Sequence, residues 1–179
     1  NATLSHDGTL ATKGNIVFEN DGVYSLTTMG AANITVPAIE VPTNNKGTLR
    51  LAPPANLLHA VVSKIGDVNN AALKRLEVVD SGKIALDRDS NIETLALGEN
   101  NTEVTLGGNN AFRLGNTENE SGKGKLIIGG NATIISGSNI GSQAKPFDCF
   151  NMTQGGDKQA LVIEDNANVY ANRTQLSTT

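Results

Sequence analysis

Between Leu76 and Ile135 the chain repeats one small device, two apolar residues separated by a single residue and followed by a corner. The pairs are Leu76/Val78, Ile84/Leu86, Leu95/Leu97, Val104/Leu106, Phe112/Leu114, Leu126/Ile128 and, less cleanly, Ala132/Ile134. In an extended chain successive side chains point to opposite faces, so each triplet turns two side chains inward and one outward. The corners are Asp80-Ser81-Gly82, Gly98-Glu99-Asn100-Asn101, Gly107-Gly108-Asn109-Asn110 and Gly115-Asn116. Such residues accept positive φ or bond their own backbone. The first members of the first six pairs lie 8, 11, 9, 8 and 14 residues apart. Strands this short, with corners this frequent, predict a solenoid or another all-β fold.

Composition separates those two. Aromatic residues make up 3% of the 179-residue chain, with no Trp, against 19 Gly and 22 Asn. A globular core is normally closed by large rings, whereas a narrow coil is filled by stacked Val, Ile, Leu and Ala. The second description fits this chain. Hydrophobic content of 38% and charged content of 18% lie outside the range of disordered chains. A net charge of −4 supplies no electrostatic footprint for nucleic acid or anionic lipid, so no nucleic-acid partner is expected. One cysteine, Cys149, allows no intramolecular disulfide. The chain starts at Asn1 without a leader and carries no apolar run of membrane-spanning length, which reads as a fragment or a processed chain.

The same rhythm opens the chain, at Gly8-Thr9-Leu10, Gly14 to Phe18, Gly22 to Leu26, Asn33 to Val36 and Gly47 to Leu51. Pro37 and Pro42 bracket Ala38 to Val41, and proline cannot donate to a ladder, so a loop or ragged corner is expected there. Within 55–75, Leu57, Leu58, Val61, Val62 and Ile65 sit at spacings that one face of a short helix can use. Gly66 to Asn70 interrupts that pattern and Val61-Val62 is β-branched, which favours solenoid strands instead. The whole chain, 1–179, reads as a single solenoid segment, with 136–179 as its less regular end.

At Ile65-Gly66-Asp67-x-Asn69-Asn70-Ala71-Ala72-Leu73-x-x-Leu76-x-Val78, followed by Gly82-x-Ile84-x-Leu86, the chain resembles the passenger repeats of rickettsial surface autotransporters. These are the outer-membrane-protein-B and surface-cell-antigen group. Gly14 to Phe18 and Asn101 to Asn109 look similar in texture. The resemblance implies a right-handed parallel β-helix, secreted and displayed outside a Gram-negative outer membrane by a barrel that lies beyond this chain. It also implies adhesion to or invasion of host cells, with a host cell-surface protein or glycan as partner. Lys74-Arg75 and Asp87-Arg88-Asp89 make the stretch more charged than the repeats usual in that group.

Chemical candidates are few. Asp87 and Asp89, with Asp80 nearby, share one side of an extended chain, as grouped carboxylates do in β-helical polysaccharide lyases and hydrolases. A corner is due there, however, and a solvated turn is the plainer reading. His6 and His59 have no second ligand at metal spacing, and no nucleophile motif accompanies them. Cys149 reads as a small buried hydrophobe. Gly122-Lys123-Gly124-Lys125 lacks the spacing of a phosphate loop, and Gly129-Gly130 lacks the Asp of a calcium repeat. No cofactor and no metal are expected.

On a solenoid the longer corners carry recognition. The elongated corner from Asn116 to Lys125 is therefore the candidate binding loop, with Asn116, Glu118, Glu120, Lys123 and Lys125 as its residues, and Pro37 to Asn45 is the second segment of interest. A non-catalytic adhesive module leads. A carbohydrate-active β-helix enzyme and a self-associating surface-layer unit are the alternatives, the last because uncapped edge strands can pair end to end.

Overall fold

The computed structural model describes residues 3–27, 33–53, 57–79, 81–98, 102–119, 122–154 and 160–178. The described residues form short strands and no helix. In chain order these are β1 (Thr3–Asp7), β2 (Leu10–Ala11), β3 (Ile16–Val17), β4 (Val23–Thr27), β5 (Asn33–Thr35), β6 (Ala38–Glu40) and β7 (Lys46–Ala52). There follow β8 (Leu58–Val61), β9 (Lys64–Ile65), β10 (Leu73–Val78), β11 (Lys83–Leu86), β12 (Ser90–Leu97), β13 (Glu103–Leu106) and β14 (Asn110–Glu118). The last are β15 (Lys125–Ile128), β16 (Ala132–Ile134), β17 (Asn139–Ile140), β18 (Phe147–Gln154), β19 (Leu161–Ile163), β20 (Asn168–Val169) and β21 (Ala171–Thr178).

Every ladder is parallel, which makes the fold a β-solenoid. The chain winds over three faces. β1, β4, β7 and β10 stack on the first, and β2, β5, β8, β11, β13, β15, β18 and β21 on the second. β3, β6 and β9 stack on the third. β12 then runs through the corner between the third face and the first. Its Ser90 pairs with Ile65 of β9, while Ile92 to Leu97 pair along β10. β14 does the same, since its first three residues carry β16 and its Asn116 to Glu118 continue the first face over Thr94 to Ala96.

All seven apolar pairs of the Leu76–Ile135 stretch lie on strands and point inward. Leu76, Val78, Ile84, Leu86, Leu95, Val104, Leu106, Phe112, Leu114, Leu126, Ile128 and Ile134 are fully buried, and Leu97 and Ala132 nearly so. They stack in register, Leu49 on Leu76 on Leu95 and Ile84 on Val104 on Leu126. Parallel ladders bury both ends of each pair against the residues above and below, so the core is a column made mostly of aliphatics, with Phe112 and Phe150 set into it.

One sequence expectation is corrected and one open alternative is decided. Among the described residues of 57–75 the solenoid strands favoured from sequence form, and the short helix does not. Leu58–Val61 and Lys64–Ile65 are strands, and a tight turn at 67–70 separates them from β10, closed by Asn70 N–H to Asp67 O at 3.0 Å. Gly66, at φ 60°, sets that corner, and the β-branched residue Val61 fits the pleat. Ala38–Glu40 is likewise a strand and not a loop, paired with β3 and β9. Pro37 and Pro42 lie just outside it, so neither is asked to donate to a ladder. Stacked residues are 19 to 29 positions apart, Leu76 to Leu95 at one extreme and Ala132 to Leu161 at the other. The circuit is therefore uneven, and residues 28 positions apart, such as Leu76 and Val104 or Ile84 and Phe112, lie on different faces.

Corners close through side chains that reach the neighbouring coil. The Ser63 hydroxyl accepts from Val36 N–H at 3.0 Å, and the Ser138 hydroxyl accepts from Leu114 N–H at 3.1 Å. Both serines are buried. β17 lies against the end of β14, where Gly141 N–H donates to the Thr117 hydroxyl at 2.6 Å and the Asn139 amide donates to Gly115 O at 3.1 Å.

Candidate functional site

The outward side of the first face carries a run of charges whose spacing follows from the register. Glu77, Ala96 and Glu118 stand in one column, Arg75, Thr94 and Asn116 in the next. Ala96 is too short to fill its place between two glutamates. Arg75 leans across the notch to Glu118 at 2.8 Å and to Glu77 at 3.8 Å, while Arg50 holds Glu77 at 2.6 Å. The result is an open groove of about 360 Å³ with Ala96, Leu97 and Gly98 at its base and Arg75, Glu118 and Lys145 on its rim. The Lys145 ammonium has no ion-pair partner among the described residues. A groove with a small-residue floor and paired charges on its walls suits a ligand that brings its own hydrogen-bonding groups and at least one anion.

A second groove, of about 380 Å³, lies where the Pro37 to Asn45 segment meets the corner after β9. Glu40, Pro42, Lys64, Asp67 and Asn70 line it. Its charges are loosely held, Lys64 standing 4.0 Å from Asp67, while the Asn15 amide donates to Glu40 at 2.5 Å.

The third hollow, about 290 Å³, is a polar shelf over the third face that contains Asp89, Asn109, Asn110, Asn131 and Thr133. Here the carboxylate cluster resolves into corner chemistry. The Asp89 carboxylate accepts from Ala111 N–H at 2.8 Å, and Asn110 donates to Asp87 O at 3.1 Å. Asn131 continues the pattern, donating to Asn109 at 2.8 Å and accepting from Ala160 N–H at 2.7 Å. Asp87 and Asp89 thus stand at a corner, with Asp89 tied to the backbone of the next coil. Asp80 lies outside the described residues.

The five residues of the candidate loop divide. Asn116 and Glu118 are exposed on β14, so the corner begins only after Glu118. Glu118 enters the first groove. Lys123 is half-buried in the corner, and its carbonyl receives the Asn119 amide at 3.5 Å. Lys125 opens β15 on the second face, where its ammonium lies 3.2 Å from Glu103. Glu120 lies outside the described residues. The groove residues missed from sequence are Arg75, Glu77 and Lys145. Arg75 is 43 positions from Glu118, and only knowledge of the register brings them together.

Glu103 sits in a second ladder, bracketed by Lys83 at 3.1 Å and Lys125 at 3.2 Å. Partial burial pulls its pKa upward, but hydrogen bonds and charge from the two lysines prevail and hold it below the usual carboxylate value. Asp21 is also held low, chiefly by its hydrogen bond to Lys74.

The remaining candidates are plainly placed. His6 bonds Thr9 O at 3.2 Å. Cys149 is buried, in register between Lys125 and Arg173. His59 is inside the coil, 1% exposed. Among the described residues no three of His, Cys, Asp and Glu group as a metal site.

No family model matches the chain, and no solved structure matches it. Among curated proteins it is similar to Outer membrane protein B of Rickettsia conorii, 28% identical over 180 residues that cover 94% of this chain. The chain spans 11% of that protein's length.

Proposed function

We propose that the chain is one stretch of a longer β-helical passenger on the outer face of a Gram-negative outer membrane, an autotransporter segment that acts in adhesion without catalysis. The observation that supports this reading is the extent of the likeness. It runs over 94% of the chain, and therefore along nearly the whole ladder, to a protein named for the outer membrane. The coil serves as a scaffold, and the groove rimmed by Arg75, Glu118 and Lys145 is the contact for a host cell-surface protein or glycan. The committed state of Asp89, held on Ala111 N–H, favours this reading over a polysaccharide-cleaving one.

The test is binding of beads coated with the 179-residue chain to cultured host cells. Binding is expected for the wild type and to fall about tenfold in the double variant Arg75→Ala, Lys145→Ala, on the scale of two lost charge contacts. Equal binding by the variant overturns the groove assignment. Turnover of any member of a polysaccharide panel overturns the non-catalytic reading, and clumping of beads without cells points to self-association.

A further inference from the structure

The interior of the coil is mostly aliphatic, with a few rings and hydroxyls, and His59 is the one imidazole buried in it among the described residues. It sits on β8 in register with Ile84, between Leu58, which is 45% exposed, and half-buried Ala60. Neither ring nitrogen has a hydrogen-bond partner among the described residues. A neutral imidazole so placed forgoes its hydrogen bonds, and a protonated one adds an unpaired charge in an apolar site.

The surrounding strands offer that charge no counterion. β5 bears no charged residue. Lys83 of β11 points outward to Glu103, and Lys46 and Arg50 of β7 point outward to Asp21 and Glu77. Lys64 of β9 lies outside beside Asp67, as do Lys74, Arg75 and Glu77 of β10 in their own pairs. Tyr24 of β4 is the titratable side chain on the inward side of these strands, and burial raises its pKa, so it stays neutral. Burial likewise holds the His59 pKa below its ordinary value.

We propose that His59 makes the wall around β8 an acid-sensitive seam: proton uptake from solvent frees β8 from β5 and turns the imidazolium to water, while the flanking rungs stay stacked. The link that yields is short, since β8 meets β5 over two register positions and β11 over four. Leu57 and Leu58 are already exposed beside it, and opening adds inward-facing Val61 to them. Acid therefore enlarges an apolar patch on the outer wall. Above the ordinary histidine value near 6.5 the ring is neutral in both forms and the seam is closed. Below it, the open form binds a proton that the closed form refuses, and the open-to-closed ratio rises up to about tenfold per pH unit.

Hydrogen exchange of the 179-residue chain at pH 7.5 and pH 5, corrected for intrinsic rates, reads this directly. Amides of 57–62 and 33–35 are expected to lose about tenfold or more of their protection at pH 5. His59→Leu is expected to abolish that loss, and His59→Met serves if the leucine variant does not fold. The same loss in wild type and variant, or no loss at all, overturns the proposal. A third reading keeps it exposed should neither variant fold. The chain has two histidines, so the His59 imidazole signals can be followed by NMR, and a midpoint at or above the ordinary value sinks the seam.

Discussion

Gly47 is the residue at which the backbone of the coil meets its filling most tightly. It lies within β7 at φ 76°, and a Cβ built there would stand 2.2 Å from Cγ of buried Phe18. Gly47→Ala must both strain the backbone and displace the ring, and is expected to destabilise the chain by about 2–4 kcal/mol. The midpoint of urea unfolding measures it, and a change under about 0.5 kcal/mol would mean that Phe18 has room to move. At this scale much was legible beforehand. Leu76, Ile84 or Leu126 could be assigned inward because alternation fixes which side of a strand a residue takes. His59 was not legible, because an isolated histidine becomes internal only through the parity of β8, and the weak alternation of Leu57 to Val62 left that parity undecided. Arg75 and Lys145 were unreadable for another reason, since their place in a groove depends on neighbours a full coil away.

Among elements, the rows of the second face show how polar outer columns are held. Glu103 stands between two lysines on adjacent rungs, an attraction that partial exposure reduces to about 1 kcal/mol. Glu103→Gln leaves Lys83 and Lys125 facing each other across a neutral amide, and the loss is expected at neutral pH. Because the folded pKa of Glu103 is depressed, its contribution is present above the ordinary carboxylate value near 4.3 and fades as pH falls through the folded value. Wild type and variant should therefore converge in stability once the pH has fallen below that folded value, and a gap that persists in the acid limit would assign the effect to packing. β11, β13 and β15 of this face were visible in sequence as apolar pairs. β6 was concealed by its two prolines, which matter only when they fall inside the ladder.

For the whole molecule, stability should be nearly a sum over coils. Ile84→Val and Ile134→Val, on strands that share no ladder, are expected to add within about 0.5 kcal/mol. Ile84→Val with Val104→Ala, which stack directly, should deviate from additivity by more than that. Unfolding midpoints of the singles and doubles decide the matter. Additivity in both pairs would mean that stacked side chains relax independently. The coil itself was predictable from the rhythm of strands and corners, but its period was not. β12 and β14 each carry two faces through a softened corner, so the spacing between successive pairs ceases to count faces evenly.

The ladder of parallel rungs also has a meaning under load. Each coil is bonded only to the one above and the one below, so tension applied to one end would meet a single rung at a time instead of the whole wall. A circuit of 19 to 29 residues pays out roughly 6–10 nm of chain once its rung is peeled. A ladder built this way yields stepwise, coil by coil, and the coils not yet reached keep their surface intact while the loaded end unwinds.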